Sequence, residues 1–114
     1  MITQTLKQEV SQLEANLCSA FSDPTRILIL YALSERPRNV TELTAELAAT
    51  QPTTSRHLKV LRDRGLVRTT RQGATIIYEI TDERLIQALD ILRSVLRDRI
   101  ANQASLIAEI DSGA

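Results

Sequence analysis

Gln51-Pro52-Thr53-Thr54-Ser55-Arg56-His57-Leu58-Lys59-Val60-Leu61-Arg62-Asp63-Arg64-Gly65-Leu66-Val67 is the stretch that organises the rest of the chain. Thr50, just before it, is a hydroxyl N-cap. Pro52 sits in the first turn, where a missing N–H costs nothing, and Gly65 supplies the left-handed residue that ends a helix. The pattern predicts a helix running to Arg64. At helical periodicity Thr54, Leu58 and Leu61 fall on one face. Arg56, Lys59 and Asp63 lie opposite, with Pro52 and Thr53 beside them near the start. Upstream, Asn39 and Glu42 have the spacing of a cap and its returning acid. They open a short helix that carries Leu43 and Leu47 and ends near Ala49. Two short helices joined by a tight turn, over residues 39–65, make a helix-turn-helix.

Working outward, Leu66–Arg71 and Thr75–Ile80 read as strands, with Gln72-Gly73-Ala74 between them. Gly73 is free to take the positive φ of a hairpin turn, so residues 66–80 are predicted to form a wing in which Ile76, Tyr78 and Ile80 share a face. Toward the N-terminus, Leu6, Val10, Leu13, Leu17 and Phe21 recur at helical spacing and predict one helix over 3–21. Asp23 and Pro24 then cap and start a helix whose run Ile27–Leu33 is apolar nearly all round, which predicts burial on every side. Thr81-Asp82 opens a last helix, 82–110, striped by Leu85, Leu89, Leu92, Leu96 and Ile100. The order α-α-α-α-β-β-α is that of a mainly helical winged helix-turn-helix with a small β-hairpin, a single domain over 1–114.

The chain has 114 residues, too few for a thick core. The stripes on its first and last helices exceed what one small core absorbs. A second copy related by a two-fold axis would cover them, so Leu6, Val10, Leu13, Leu85, Leu89, Leu92 and Leu96 are the expected dimer interface. No apolar run is long enough for a membrane span, and the N-terminus lacks the basic-then-apolar pattern of a signal peptide. A single cysteine, Cys18, cannot close an internal disulfide, which fits the cytoplasm. Cys18 flanks the first stripe beside Leu17 and Phe21 and is expected to be buried as a small hydrophobe. The sharper readings are a sensing thiol or a disulfide across the dimer.

Net charge is zero, but its distribution is not flat: residues 36–71 carry a net +5 between ends of −2 and −3. A basic centre between acidic ends is expected if only the middle faces phosphate. Short hydroxyl residues at the start of the 51–64 helix allow close approach to DNA, and Arg56 and Lys59 reach far enough to bond guanine in the major groove. The expected DNA-contacting set is Thr53, Thr54, Ser55, Arg56, His57, Lys59 and Arg62 on the helix, with Arg68, Arg71 and Gln72 on the wing. Three aromatic residues, Phe21, Tyr31 and Tyr78, make no stacking platform for single strands, so duplex DNA is the better ligand. The alternative is a winged helix that binds protein and not DNA. Its reading face should then be large and apolar, whereas this one is Thr, Ser, Arg and Lys. There is no phosphate-binding glycine loop, nucleophile elbow or second histidine, so no enzyme or cofactor is expected.

Asp23-Pro24-Thr25-Arg26 with the apolar helix behind it, Gln51–Leu61, Arg62-Asp63-Arg64-Gly65-Leu66-Val67 and the wing ending Tyr78-Glu79-Ile80 together resemble the ArsR/SmtB family of bacterial winged-helix repressors over about residues 15–100. The resemblance implies a homodimer built by the first and last helices, an operator in double-stranded DNA and release by an inducer; two recognition helices one DNA turn apart correspond to an inverted-repeat operator. The family's metal sites are not matched. Where one needs Cys-x-Cys-Asp-Leu the chain reads Asn39-Val40-Thr41-Glu42-Leu43. Where the other needs an acid, a histidine two residues on, a second histidine eleven later and a histidine or glutamate three beyond, it reads Asp82, Arg84, Val95 and Asp98. Zinc and its neighbours favour nitrogen and sulfur ligands, so no metal is expected. Sensing through a pair of thiols is equally unmatched, since Cys18 is alone. The inducer stays unassigned.

Overall fold

Each early helix begins where a side chain replaces hydrogen bonds that its first turn lacks. In the computed structural model, which describes residues 1–112, Thr3 accepts from the Leu6 N–H at 3.1 Å and opens α1, Gln4–Asn16. Asp23 accepts from the Thr25 N–H at 2.7 Å and opens α2, Pro24–Glu35. Asn39 and Glu42 form a reciprocal capping box on α3, Val40–Leu47. Thr50 accepts from the Thr53 N–H and opens α4, Gln51–Asp63. Strands β1, Val67–Gln72, and β2, Thr75–Ile80, form an antiparallel hairpin, and α5 spans Arg84–Ser112. This is the predicted winged helix-turn-helix order. Two of the caps are carboxylates made more acidic by their partners. The Thr25 backbone N–H holds Asp23 below its ordinary value, helped by the charge of Arg26. Glu42 is lowered first by its hydrogen bond with Arg36 and then by the Asn39 N–H.

Residues 3–21 do not form the single helix that their spacing suggests. α1 stops at Asn16, and Cys18–Ser22 winds as a 3-10 helix. Three residues per turn replace 3.6, so the stripe loses phase after Leu17. Ala20 turns inward, and Cys18, expected to be buried, is exposed. α2 also departs from expectation: Ile29, Leu30, Ala32 and Leu33 are buried, but Leu28 is 55% exposed. A helix apolar all round needs neighbours all round, and within residues 1–82 α2 packs on α3, α4, β2 and the 3-10 helix, which leaves one side open.

α3 and α4 meet at a tight turn in which Ala48 takes the left-handed conformation at φ 51°, at a cost of about 1–2 kcal/mol for a residue with a Cβ. α4 ends in a Schellman motif: the Leu66 N–H bonds the Leu61 carbonyl and the Gly65 N–H that of Arg62, with Gly65 at φ 75°. Leu58 and Leu61 are fully buried, and Leu43, Leu66, Val67 and Ile80 join them in the core. In the hairpin Gln72 pairs with Thr75, so the loop is Gly73-Ala74, one residue shorter than predicted. Gly73, at φ 63°, supplies the positive φ. Backbone bonds between Arg38 and Tyr78, at 3.1 and 2.8 Å, cover the outer edge of β2.

The described part of α5 has 29 residues. Leu92 and Leu96 are exposed on it, Leu85 is half-buried, and Leu89 is only 5% exposed. Leu89, expected at a dimer interface, is the buried member of that set. On α1, Leu6, Val10 and Leu13 are all exposed, and no residue of that helix is buried. No helix among the described residues is long and apolar enough to cross a membrane.

Candidate nucleic-acid interface

α4 has one side committed to the core and one side free. Leu58 and Leu61 anchor it, and two expected DNA contacts lie on the anchored side with them. Thr54 is fully buried and its hydroxyl donates to the Thr50 carbonyl at 2.9 Å. His57 is 6% exposed, and its Nδ1 lies 3.2 Å from Arg26 Nη1. A guanidinium has no acceptor, so Nδ1 accepts and Nε2 carries the proton, facing Asp23 Oδ1 at 3.9 Å. Neither Thr54 nor His57 is placed to touch a duplex. The physical reason is that each finds its hydrogen bond inside the protein, so polarity did not force it outward.

Ser55, Arg56, Lys59 and Arg62 remain on the open side, all exposed, with Thr53 half-buried beside them. Lys59 pairs with Asp63 at 2.9 Å, one helical turn on. Such a surface pair is worth only a few tenths of a kcal/mol, ~0.3–0.5, and releases its lysine easily to a phosphate. Arg56 and Arg62 have no acidic partner among the described residues. On the wing, Arg68 is bound to its cross-strand neighbour Glu79 at 2.6 Å. Arg71 and Gln72 are exposed near the tip, and Arg71 is likewise without an acidic partner among the described residues.

The basic centre is thus less free than its composition suggests. Arg36 pairs with Glu42 at 2.9 Å. Arg38 is 4% exposed and held between Glu35 and Glu46, at 2.6 and 2.7 Å. Arg64 donates to the Ala15 carbonyl and to Ser19. Of the eight basic residues in 36–71, Arg56, Arg62 and Arg71 are left uncommitted, one near the start of α4, one near its end and one on the wing.

One residue outside the expected set also belongs to this surface. Gln51, the first residue of α4, is exposed and borders a groove of about 340 Å³ with Asn39, Val40 and Thr41 of the α3 start and Ala74, Thr75 and Ile76 of the wing. The reading helix and the wing therefore open onto common space. The signal for Gln51 was its place directly after the Thr50 cap, where a recognition helix first meets base edges. The open side of α4 exposes no large apolar side chain, and on the wing Ile76, 44% exposed, borders the groove, so the apolar area is small for the protein-binding alternative.

Comparison with known proteins agrees with this geometry. Residues 23–69 match the model of the bacterial regulatory proteins of the arsR family. The chain is 35% identical over 79 residues to an HTH-type transcriptional regulator of Methanocaldococcus jannaschii, covering 68% of this chain and 89% of that one. It is 35% identical over 81 residues to the biofilm growth-associated repressor of Xylella fastidiosa, 71% of each chain. In fold it is similar to the homodimeric winged helix-turn-helix DNA-binding domain from Mycobacterium bovis, with a TM-score of 0.74 at 22% identity, over 89% of this chain and 93% of that one.

Proposed function

The chain belongs to the ArsR family of bacterial regulatory proteins, and from that premise we propose that it works as a homodimeric transcriptional repressor which lays two copies of α4 into successive major grooves of an inverted-repeat operator. The observation that carries the reading is the division of α4. Its buried side fixes it in the core, and its open side presents Ser55, Arg56, Lys59 and Arg62 with two arginines uncommitted. Ser55, Arg56 and Lys59 face the bases, with Gln51 at the leading end. Arg62 and the wing residues Arg71 and Gln72 take phosphates, while Arg68 serves chiefly the hairpin through Glu79. The exposed stripes of α1 and α5 support the dimer, since Leu6, Val10, Leu13, Leu92 and Leu96 are left in water by a single chain. The protein acts in the cytoplasm, where the genome and a reducing environment coincide.

Selection of bound sequences from random duplex DNA, followed by binding across salt, tests this. Two phosphate-contacting arginines per copy, Arg62 and Arg71, imply about four released counterions per dimer and a log–log salt slope near −4. The enriched sequence should contain two half-sites about 34 Å apart, one DNA turn. No enrichment, or affinity indifferent to salt, overturns the reading.

A further inference from the structure

α4 is tied to the segment that follows α1 at two points, each time by an arginine. Arg26 of α2 uses all three guanidinium nitrogens. Nη1 meets His57 Nδ1 at 3.2 Å, Nε donates to the Ala20 carbonyl at 2.8 Å, and Nη2 reaches Ser22 Oγ at 3.1 Å and the Ser19 carbonyl at 3.4 Å. Arg64, the C-cap of α4, donates to the Ala15 carbonyl and to Ser19 Oγ. Ala15 lies in the last turn of α1, where carbonyls lack intrahelical partners and the helix end is negative. α1 places no basic residue of its own there, so Arg64 supplies the missing cation from 49 residues away. Ser19 is common to both arginines and also donates to the Ala15 carbonyl at 2.6 Å.

We propose that Arg26 and Arg64 are positioning residues for DNA recognition, setting the rotation of α4 against residues 15–22 so that Ser55, Arg56 and Lys59 face a groove. The inference rests on the DNA-binding reading above. Leucines alone hold a helix against a core but resist rotation about its axis weakly. Two directional attachments at residues 57 and 64, about 10 Å apart along the helix, fix that rotation. They also connect it to the end of α1, whose apolar stripe awaits a cover, so the seating of α1 bears on the reading face.

The test uses Arg64→Lys and Arg26→Lys with the duplex that the wild-type chain enriches from a random library, and with an unrelated duplex of equal length. Lysine keeps the charge at both positions; at Arg26 it loses the planar fork that spans several acceptors, and at Arg64, where Nη1 alone makes both contacts, its ammonium ends one bond short of that donor. The expected result is a loss of specific affinity of about tenfold or more, the scale of one base contact. Affinity for the unrelated duplex and the salt slope should be unchanged, and thermal unfolding should remain cooperative. Arg64 is exposed, so its variant carries the test if the Arg26 variant does not fold. If Arg64→Lys binds as the wild type does while Arg64→Ala lowers the salt slope by about one per copy, Arg64 is a phosphate contact and the proposal fails. A wild-type chain that prefers no duplex overturns the parent reading as well, and that outcome is visible before any variant is made.

Discussion

α1 and α4 are each 13 residues long and each opens on a threonine cap, yet α4 buries four residues and α1 buries none. Both carry an apolar stripe at helical spacing. The stripe on α4 is met by α2, α3 and β1 of the same chain. The stripe of Leu6, Val10 and Leu13 on α1 meets nothing that covers it. Periodicity therefore establishes that a face must be covered and is silent about which chain covers it. Burial separates the two cases, and it also separates the helix that shapes the reading domain from the helix proposed to meet a second copy.

The largest effect should fall on the helix whose face is already covered. Leu58 is fully buried, so Leu58→Ala should lower the unfolding free energy by about 2–5 kcal/mol, read from urea denaturation. Leu13→Ala, measured at concentrations too low for association, should cost less than about 0.5 kcal/mol. Equal losses would mean that α1 is packed within its own chain. Next in size is self-association. Leu13→Ser removes one leucine from each side of a two-fold interface, about 1.5 kcal/mol per copy and 3 kcal/mol per dimer. Sedimentation equilibrium should show dimer dissociation weakened by about a hundredfold. An unchanged constant would remove the α1 stripe from the interface.

The same contrast marks what the sequence made legible. The extent of α4 was readable because Thr50, Pro52 and Gly65 are local signals whose chemistry does not depend on distant residues. The hairpin was readable for the same reason at Gly73, to within one loop residue. The break at Leu17 was not readable, since apolar spacing continues through Phe21 and nothing local forbids an α-helix there. Cys18 followed that error from the buried class to the exposed one. At the reading face, Ser55, Arg56, Lys59 and Arg62 lie on the open side where their polarity put them. Thr54, His57 and Arg38 went inward because Thr50, Arg26 and a pair of glutamates bond them there. A polar residue counts as outward-facing only until its partner is known, and these partners come from other turns or other helices.

On the open side of α4, charge that is free and charge that is bound should behave differently. Arg56→Ala should cost about 1–3 kcal/mol of operator affinity and relax the base preference at one position in each half-site. Arg68→Ala, which removes a side chain already paired with Glu79, should cost clearly less and leave the preference intact. Both are read by titrating labelled operator at fixed salt. Equal losses, or a broad weakening without relaxed preference from Arg56→Ala, would move Arg56 to the phosphates.

The caps give the smallest effect and the finest division among the helices. α1 and α4 are capped by hydroxyls, which do not titrate, whereas Asp23 caps α2 and Glu42 completes the capping box of α3. Both carboxyls are held below their ordinary values of 3.8 and 4.5. A group more acidic in the folded state stabilises that state fully above its ordinary value. The contribution is lost as pH falls through the lowered one. Stability should therefore decline as pH drops below about 4.5, modestly, because both carboxyls face solvent. In Asp23→Asn with Glu42→Gln the capping hydrogen bonds remain and the titration does not. Chemical unfolding between about pH 6 and 3 should then give a flatter decline than in the wild type, with the two curves converging at the acid end as the native carboxyls protonate. A difference that instead persists unchanged to the lowest pH would mean that the substitutions altered the caps themselves, and that the acidity of α2 and α3 contributes nothing that the threonine-capped helices lack.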